Sequence, residues 1–263
     1  MLLYGILFLS VILSVIGYAV GVYESIVWIP VVFASTFVVF LFLWIFICFL
    51  CTRFIRMDRE YDKSSKLYWW YTERIIELVM QLLRIQLKVT GKEVLSKDKF
   101  LFVCNHRAAL DPLLTMGVLR EYDMGFVAKQ EIFKIPIIAR LMHRCHCLCL
   151  KRGDLKESAK TIVKASELIR ENKASIGIYP EGTRNPKDEM LPFMNGAFKI
   201  AKKAHCPVVV ATIRNTEKVS KRAPFRKTII YLDFIGILDK EFVEKNNTAE
   251  ISQAARTMME QAL

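Results

Sequence analysis

The N-terminal part of the chain almost entirely lacks charge. Residues 1–52 contain one charged residue, Glu24, and all 38 lysines and arginines of the 263-residue sequence follow them. The two apolar runs on either side of Glu24 each exceed the ~20 residues that a helix needs to cross a bilayer core. No lysine or arginine precedes the first run and no small-residue cleavage site follows it, which argues against a secretory signal peptide. The sequence therefore predicts a retained membrane hairpin over residues 1–52.

The first positive charges predict the orientation of this hairpin. Arginines and lysines begin at Arg53 and recur through Lys66. Basic residues that flank membrane helices stay on the cytoplasmic side, which places Glu24 in a short outer turn. We therefore expect a cell-membrane protein with the rest of the chain in the cytoplasm. Two helices that lie half-immersed in one leaflet are the alternative.

The cysteines lack the spacing of common metal sites. Four potential ligands cluster as Cys145, His146, Cys147 and Cys149, but they do not match the usual paired-thiolate motifs. The three cysteines alternate, as residues on one face of a strand do. Disulfides are rare in the cytoplasm. The sequence thus predicts free thiols and no metal or redox cofactor.

Residues 53–88 form the second predicted unit, a basic segment followed by an amphipathic helix. Trp69, Trp70 and neighbouring aromatic residues precede a helical pattern with one narrow polar stripe. Aromatic rings beside a broad apolar face are typical of a helix at the membrane interface. A core helix fits the pattern equally well.

Residues 89–263 alternate short apolar runs with amphipathic segments. We predict buried strands at 100–103, 125–128, 147–150, 176–179, 208–211 and 228–234. We predict helices near 111–121, 131–143, 155–172, 196–204 and 248–262. Such alternation indicates an α/β fold with a largely parallel central sheet flanked by helices. In such sheets, ligands bind at the carboxyl ends of the strands.

Polar residues follow three of the predicted strands. They are Asn105, His106 and Arg107 after the first, Lys151 and Arg152 after the third, and Glu181, Gly182, Thr183 and Arg184 after the fourth. Histidine is the commonest general base near neutral pH, and Asp111 could hold its second ring nitrogen. Asp111 before Pro112 also predicts a helix start with Asp111 as the N-cap. The arginines and Lys151 suit a phosphate, and Gly182 allows close approach of a ligand.

This inventory suits acyl transfer to a hydroxyl. No serine nucleophile accompanies the His/Asp pair, so the simplest mechanism is direct attack by the acceptor on an activated acyl group. The two motifs in this order resemble the glycerolipid acyltransferase family of the 1-acyl-glycerol-3-phosphate acyltransferase type, over about residues 89–213. The resemblance identifies 89–263 as an acyltransferase catalytic domain. It implies His106 as the catalytic base and Asp111 as its partner, with Glu181, Gly182 and Arg184 in the acceptor site.

Two further segments resemble family blocks. Residues 128–136, which include Lys129, resemble the second block, and the chain runs on from them to Arg152. The resemblance implies that Arg152, the arginine after the strand, binds the acceptor's phosphate. Residues 206–210 resemble the fourth block, associated with the acyl donor. The chain departs from many relatives at Met194, Val210 and Ala139, and Met194 stands where they carry a lysine. None of these departures touches the proposed base or its partner.

The resemblance implies a reaction and its partners. A fatty acyl thioester on coenzyme A or acyl carrier protein is expected to acylate lysophosphatidate at the membrane, giving phosphatidate, with no resident cofactor. Another lysolipid, glycerol 3-phosphate or an amino-acid lipid is the alternative acceptor. The net charge of +12 fits an anionic membrane and phosphate-bearing substrates.

The same positive charge allows an interpretation of another class. A membrane-tethered module that binds nucleic acid or anionic lipid would carry such charge, but the sequence has no nucleic-acid motif, and we expect no nucleic-acid partner. A basic stretch that includes Arg214, Lys218, Lys221, Arg222, Arg226 and Lys227 is typical of a solvated loop.

Overall fold

A computed structural model describes residues 2–61, 65–151, 153–187 and 189–263 of the chain. Its α-helices are α1 (Leu2–Ala19), α2 (Trp28–Arg53), α3 (Lys66–Leu82), α4 (Asp111–Val118), α5 (Pro136–Arg144), α6 (Leu155–Arg170), α7 (Lys199–Ala204), α8 (Val219–Arg222), α9 (Lys240–Lys245) and α10 (Thr248–Ala262). Its β-strands are β1 (Ile85–Thr90), β2 (Leu101–Cys104), β3 (Gly125–Lys129), β4 (Leu148–Leu150), β5 (Ile176–Ile178), β6 (Val208–Arg214) and β7 (Thr228–Leu238).

The strands form one sheet in the order β1-β7-β6-β2-β5-β3-β4. All neighbours pair in parallel except β6 and β7, which are antiparallel. The predicted α/β fold with a largely parallel central sheet is confirmed. Strands β2 to β6 therefore end at the same side of the sheet, which we call the carboxyl edge, and β1 and β7 begin there. Strand β1 crosses position 89, where the sequence places the start of the third unit.

Helices cover both faces of the sheet. Leu101 and Val103 of β2 belong to a core shared with α6, α7 and α10, whereas Phe102 and Cys104 face a second core with α3 and α4. All four side chains are fully buried. Burial on both faces explains why the inner strands appear in the sequence as continuous apolar runs rather than as alternating patterns.

The N-terminal helices α1 and α2 pack against each other and against α3 and α5. The Tyr68 hydroxyl donates to the Cys51 carbonyl at 3.1 Å, and the Tyr71 hydroxyl lies 3.1 Å from the Cys51 sulfur. Both helices are long and apolar enough to cross a membrane, and most of their side chains are exposed in the protein alone. These features support membrane association of the predicted hairpin.

Helix α3 combines the two interpretations that its sequence allows. Trp69 and Ile76 are buried in the domain core, as in an ordinary core helix, while Leu67 and Trp70 are exposed. The helix thus packs on the sheet through one side and leaves apolar side chains uncovered on another.

The six predicted strands and five predicted helices are present, with small shifts at their ends. Strand β1 and the short helices α8 and α9 were not predicted. The strand interpretation of the alternating cysteines is wrong for Cys145, which ends α5, and for Cys147, which precedes β4. Between them His146 has a left-handed φ of 57°, so the chain turns there instead of extending.

Candidate active site

The end of strand β2 is fixed by a side-chain amide. Asn105 Nδ2 donates to the Ile213 carbonyl at 3.0 Å, and Asn105 Oδ1 accepts the Ile213 amide at 2.7 Å. These two bonds fasten the carboxyl end of β2 to that of β6. Asn105 is buried, so its side chain serves this contact between strands in the structure.

His106 and Asp111 form the pair that the sequence predicts. Nδ1 of His106 lies 2.8 Å from Asp111 Oδ2, and the same oxygen accepts the backbone amides of Arg107 at 2.6 Å and Ala108 at 2.7 Å. Because a carboxylate oxygen only accepts, Nδ1 carries a hydrogen and Nε2 is the nitrogen that can take up a proton. The Asp111 carboxylate is buried, whereas the His106 side chain keeps 17% of its surface exposed. The imidazole is thus oriented from the protein side and accessible from the solvent side.

The N-cap prediction for Asp111 is wrong. Helix α4 begins at Asp111, and the preceding Leu110 has a helical backbone and no side-chain cap. The Asp111 carboxylate turns back toward the amides of residues 107 and 108 instead of forward to the helix amides. The same carboxylate also contacts Nδ1 of His106. Asp111 therefore stabilises the turn at residues 107 and 108 and orients the imidazole ring.

Tyr179 supports the other side of the histidine and was not predicted. Its ring stacks on that of His106, with centroids 4.4 Å apart and an interplanar angle of 26°. The Tyr179 hydroxyl lies 3.4 Å from Thr115 Oγ1. The Thr115 hydroxyl in turn donates to the Asp111 carbonyl at 2.7 Å. Burial raises the pKa of Tyr179 well above its usual value, which keeps the phenol neutral. In the sequence, its position as an aromatic residue at the end of a predicted strand, directly before the second motif, is the feature that could have indicated this role.

Glu181 connects the two motifs. Its Oε1 accepts the backbone amide of His106 at 2.8 Å, and its Oε2 accepts the amide of Leu191 at 3.0 Å. The amide of Asn185 donates to the His106 carbonyl at 2.6 Å. The backbone of His106 is therefore held on both sides by the loop that follows β5.

The rest of that loop lies at the surface. Gly182 has a left-handed φ of 69°, and a Cβ there would lie 2.5 Å from the Met194 methyl carbon. Thr183 and Arg184 follow and are exposed. The loop thus brings Arg184 to the same edge of the sheet as His106.

The predicted cations of the outer strands lie further along the same edge. Lys129 ends β3 and pairs in register with Leu150 of β4, so Lys151 is its neighbour. Lys151 is exposed and lies 4.0 Å from Glu157. Strand β5 separates β3 from β2, which puts these lysines about 10 Å or more along the sheet from His106. Arg152 lies outside the described residues.

Arg107 is engaged within the protein. Its Nε donates to Glu217 at 2.8 Å, and its terminal nitrogens donate to the carbonyls of Pro186 at 3.0 Å and Lys187 at 3.2 Å. The residue is largely buried. These bonds clamp the loops after β2, β5 and β6 together, so the predicted substrate contact of Arg107 requires their displacement.

The cysteine cluster has the chemistry of buried, neutral groups. Burial raises the pKa of Cys145 to about 11 and lowers that of His146 to about 4. No three His, Cys, Asp or Glu side chains of the described ranges gather as a metal site would.

The site therefore consists of a His/Asp pair at the carboxyl edge of an α/β sheet, and the backbone of His106 is bonded to a Glu-Gly-x-Arg loop. A family model described as acyltransferase matches residues 86–214 of the chain. The match assigns residues 86–214, about half of the chain, to this acyltransferase family.

Several known proteins are similar to the chain in sequence. The 1-acyl-sn-glycerol-3-phosphate acyltransferase of Saccharomyces cerevisiae is 28% identical over 195 residues, which cover 72% of this chain and 64% of that protein. The enzyme of the same name from Borreliella burgdorferi is 31% identical over 159 residues, covering 59% and 60%. The match to the Limnanthes douglasii enzyme covers 52% of its length, so the chain spans about half to two thirds of these relatives.

A solved structure shares the fold. The 1-acyl-sn-glycerophosphate acyltransferase PlsC of Thermotoga maritima superposes with a TM-score of 0.62 at 22% identity, covering 74% of this chain and 77% of that one. At this identity the likeness shows the architecture, including the sheet that carries the site.

Proposed function

We propose that the chain transfers a fatty acyl group from a thioester to the free hydroxyl of 1-acyl-sn-glycerol 3-phosphate, forming phosphatidate. The observation that carries the proposal is the His106–Asp111 pair, oriented at 2.8 Å and accessible at the carboxyl edge. Family membership and the printed names of the relatives support the acceptor.

His106 acts as the base in this proposal. Its Nε2 takes the proton of the acceptor hydroxyl as the oxygen attacks the thioester carbonyl. The Asp111 carboxylate stabilises the imidazolium that forms. The attack forms the C–O bond of the new ester. The tetrahedral intermediate then collapses, which re-forms the carbonyl and breaks the C–S bond, and the imidazolium gives its proton to the departing thiolate.

The acceptor is positioned through its phosphate. Arg184 and Arg152 bind the phosphate oxygens, and Lys151 and Lys129 add positive charge at the outer strands. Thr183 and Gly182 provide the surface against which the headgroup rests. Holding the hydroxyl beside Nε2 supplies much of the acceleration, because correctly oriented groups react as if at very high concentration.

The donor and the location complete the proposal. Coenzyme A and acyl carrier protein both present the thioester on a phosphate-bearing arm, and both suit the positive charge of the domain. The reaction uses no metal or redox cofactor. Helices α1 and α2 hold the domain on the cytoplasmic side of the cell membrane, where the single-chain acceptor resides in the lipid.

A panel of acceptors tests the acceptor and the reaction separately. Purified full-length protein in lipid-detergent micelles is given an acyl thioester with 1-acyl-sn-glycerol 3-phosphate, another lysophospholipid or glycerol 3-phosphate, and both thiol release and lipid product are measured. We expect thiol and phosphatidate in equal amounts with the first acceptor alone. Turnover with another acceptor alone contradicts the proposed substrate but keeps acyl transfer, and thiol release without an esterified product contradicts acyl transfer to a hydroxyl.

A further inference from the structure

A strongly basic loop joins β6 to β7. Within residues 218–227, which we call the basic loop, five of the ten residues are cationic and none is acidic: Lys218, Lys221, Arg222, Arg226 and Lys227. The preceding acid, Glu217, is bound to Arg107 and does not neutralise them. Among the described residues, no carboxylate lies within salt-bridge distance of any of the five. The loop therefore presents an uncompensated positive charge.

An aromatic side chain projects from the middle of this charge. Phe225 is 84% exposed and is flanked by Pro224 and Arg226, which are also exposed. A benzyl ring that stays in water between cations gains nothing from the folding of the chain, since burial is what stabilises apolar side chains. The arrangement suits the headgroup region of a bilayer, where aromatic rings and cations are both favoured.

The basic loop is fastened to the domain. Arg84 Nη1 donates to the Phe225 carbonyl at 2.9 Å, and the amide of Thr228 donates to the Arg84 carbonyl at 3.0 Å. The amide of Arg226 donates to the Arg222 carbonyl at 2.8 Å. The backbone at Phe225 is therefore held in place, so that the exposure of the ring follows from the fold and not from a free chain end.

The loop shares its edge with the candidate active site. It leaves the carboxyl end of β6, whose Ile213 is bonded to Asn105, and Glu217 joins it to Arg107. From residue 83 onward, the four most exposed large apolar side chains all follow carboxyl ends of strands: Leu155 (89%), Phe225 (84%), Met194 (57%) and Ile135 (50%). The carboxyl edge is thus the part of the domain surface where exposed apolar groups and cations coincide.

We propose that the basic loop binds the surface of an anionic bilayer, with Phe225 inserted between headgroups and the cations on lipid phosphates. In sheet order, the loop lies at the β7 side of His106, whereas α2 contacts the domain at α5, beyond β3. The loop therefore provides a second attachment on the opposite side of the site from the contact between α2 and α5. Two attachments hold the opening of the site against the membrane, where one would allow the domain to tilt away. The inference goes beyond acyl transfer and does not depend on it.

Photo-crosslinking of the full-length protein tests lipid contact directly. The photoreactive residue p-benzoylphenylalanine replaces Phe225 in one variant, and Val94 in a matched control. Val94 is also exposed, but it follows β1 at the opposite edge of the sheet. Both proteins are reconstituted into vesicles of phosphatidylcholine alone and into vesicles that also contain about 30% phosphatidylglycerol as the anionic lipid. We expect at least about fivefold more lipid adduct at position 225 than at position 94 in the anionic vesicles.

Neutralising the charge supplies the second comparison. Lys221→Gln, Arg222→Gln and Arg226→Gln together are expected to lower the adduct yield at position 225 at least about threefold, to near its value in pure phosphatidylcholine. The matched triple variant carries Lys97→Gln, Lys203→Gln and Lys245→Gln, which change three exposed lysines outside the basic loop, and it should keep the full yield. Equal lipid adducts at positions 225 and 94 overturn the proposal. So does crosslinking of position 225 to a second protein chain in place of lipid, or a yield that ignores the loop charge.

Discussion

The Glu181 carboxylate accepts the backbone amide of His106 at 2.8 Å, across 75 positions of sequence. One oxygen binds the residue proposed as the base, and the other binds Leu191 in its own loop. The acid of the second motif therefore positions the first motif through the backbone. Its effect on catalysis is expected to pass through the placement of His106.

Glu181→Ala should impair both stability and turnover. The substitution leaves two part-buried amides without an acceptor, at a cost of about 1 kcal/mol each, the lower end of the range for buried groups. It also releases the backbone of His106, which we expect to lower kcat by about a hundredfold. Glu181→Gln retains one amide acceptor and should lie between wild type and alanine. Thermal unfolding and steady-state kinetics measure the two effects, with the exposed Glu93→Gln as control; wild-type turnover in Glu181→Ala would contradict the positioning role.

Asp111→Asn should remove the orientation of the histidine. The amide can no longer serve both as the acceptor of three N–H groups and as the counter-charge of an imidazolium. We expect kcat to fall by about 10³–10⁴, the scale known for an equivalent change in serine proteases. Asp98→Asn, at an exposed turn, is the control and should keep full activity. A loss in Asp111→Asn of less than tenfold would be inconsistent with a base that depends on Asp111.

Tyr179→Phe and Tyr179→Leu separate the ring from the hydroxyl. Phenylalanine keeps the stack on His106 and loses only a long contact of 3.4 Å to Thr115, so its kcat should stay within about threefold of wild type. Leucine loses the stack and should lower kcat at least about tenfold with little change in KM. Equal kinetics in the two variants would show that the ring does not position the histidine.

The buried His146 predicts a loss of stability in acid. Burial lowers its pKa from 6.5 to about 4 in the folded protein, so the unfolded chain binds more protons between these values. The stabilisation is therefore present above about pH 6.5 and is lost as the pH falls toward 4, by about 3 kcal/mol in total. Unfolding measured at pH 7.5 and 5 in detergent reports the change.

Asparagine at two positions provides the matched comparison for that prediction. His146→Asn suits the left-handed backbone there, φ 57°, and should flatten the pH dependence of the unfolding free energy. His205→Asn changes a residue of similar φ, 52°, whose side chain is exposed, and should leave the dependence as in wild type. The same acid sensitivity in wild type and His146→Asn would assign it to other groups.

The sequence was sufficient for the inner sheet and for the His106–Asp111 pair. Strands buried on both faces are apolar throughout, and a histidine and an aspartate five positions apart lie within one turn. Strand β1 was missed because it follows α3 directly, at the sheet margin, with only every second side chain well covered. Helix α9 is one of the shortest helices and offered too few residues for a pattern.

The roles of Asn105, Arg107 and Glu181 depend on contacts that no local pattern contains. Asn105 binds a residue 108 positions away, and Arg107 binds one 110 positions away. From the sequence, these three residues could be recognised as polar side chains at the ends of predicted strands, but their partners could not. Only the fold distinguishes side chains that are bonded to other loops from those, such as Arg184, that stay exposed.

The most direct test of the proposed mechanism is acyl transfer in His106→Ala compared with His205→Ala. Both replace a histidine, but His205 is exposed at the end of α7, just before β6 begins at the edge of the sheet opposite the site. Phosphatidate formation from 1-acyl-sn-glycerol 3-phosphate and an acyl thioester is measured for purified, folded proteins. We expect a loss of at least about 10³-fold in His106→Ala and wild-type activity in His205→Ala. Comparable activity in the two variants would contradict His106 as the base.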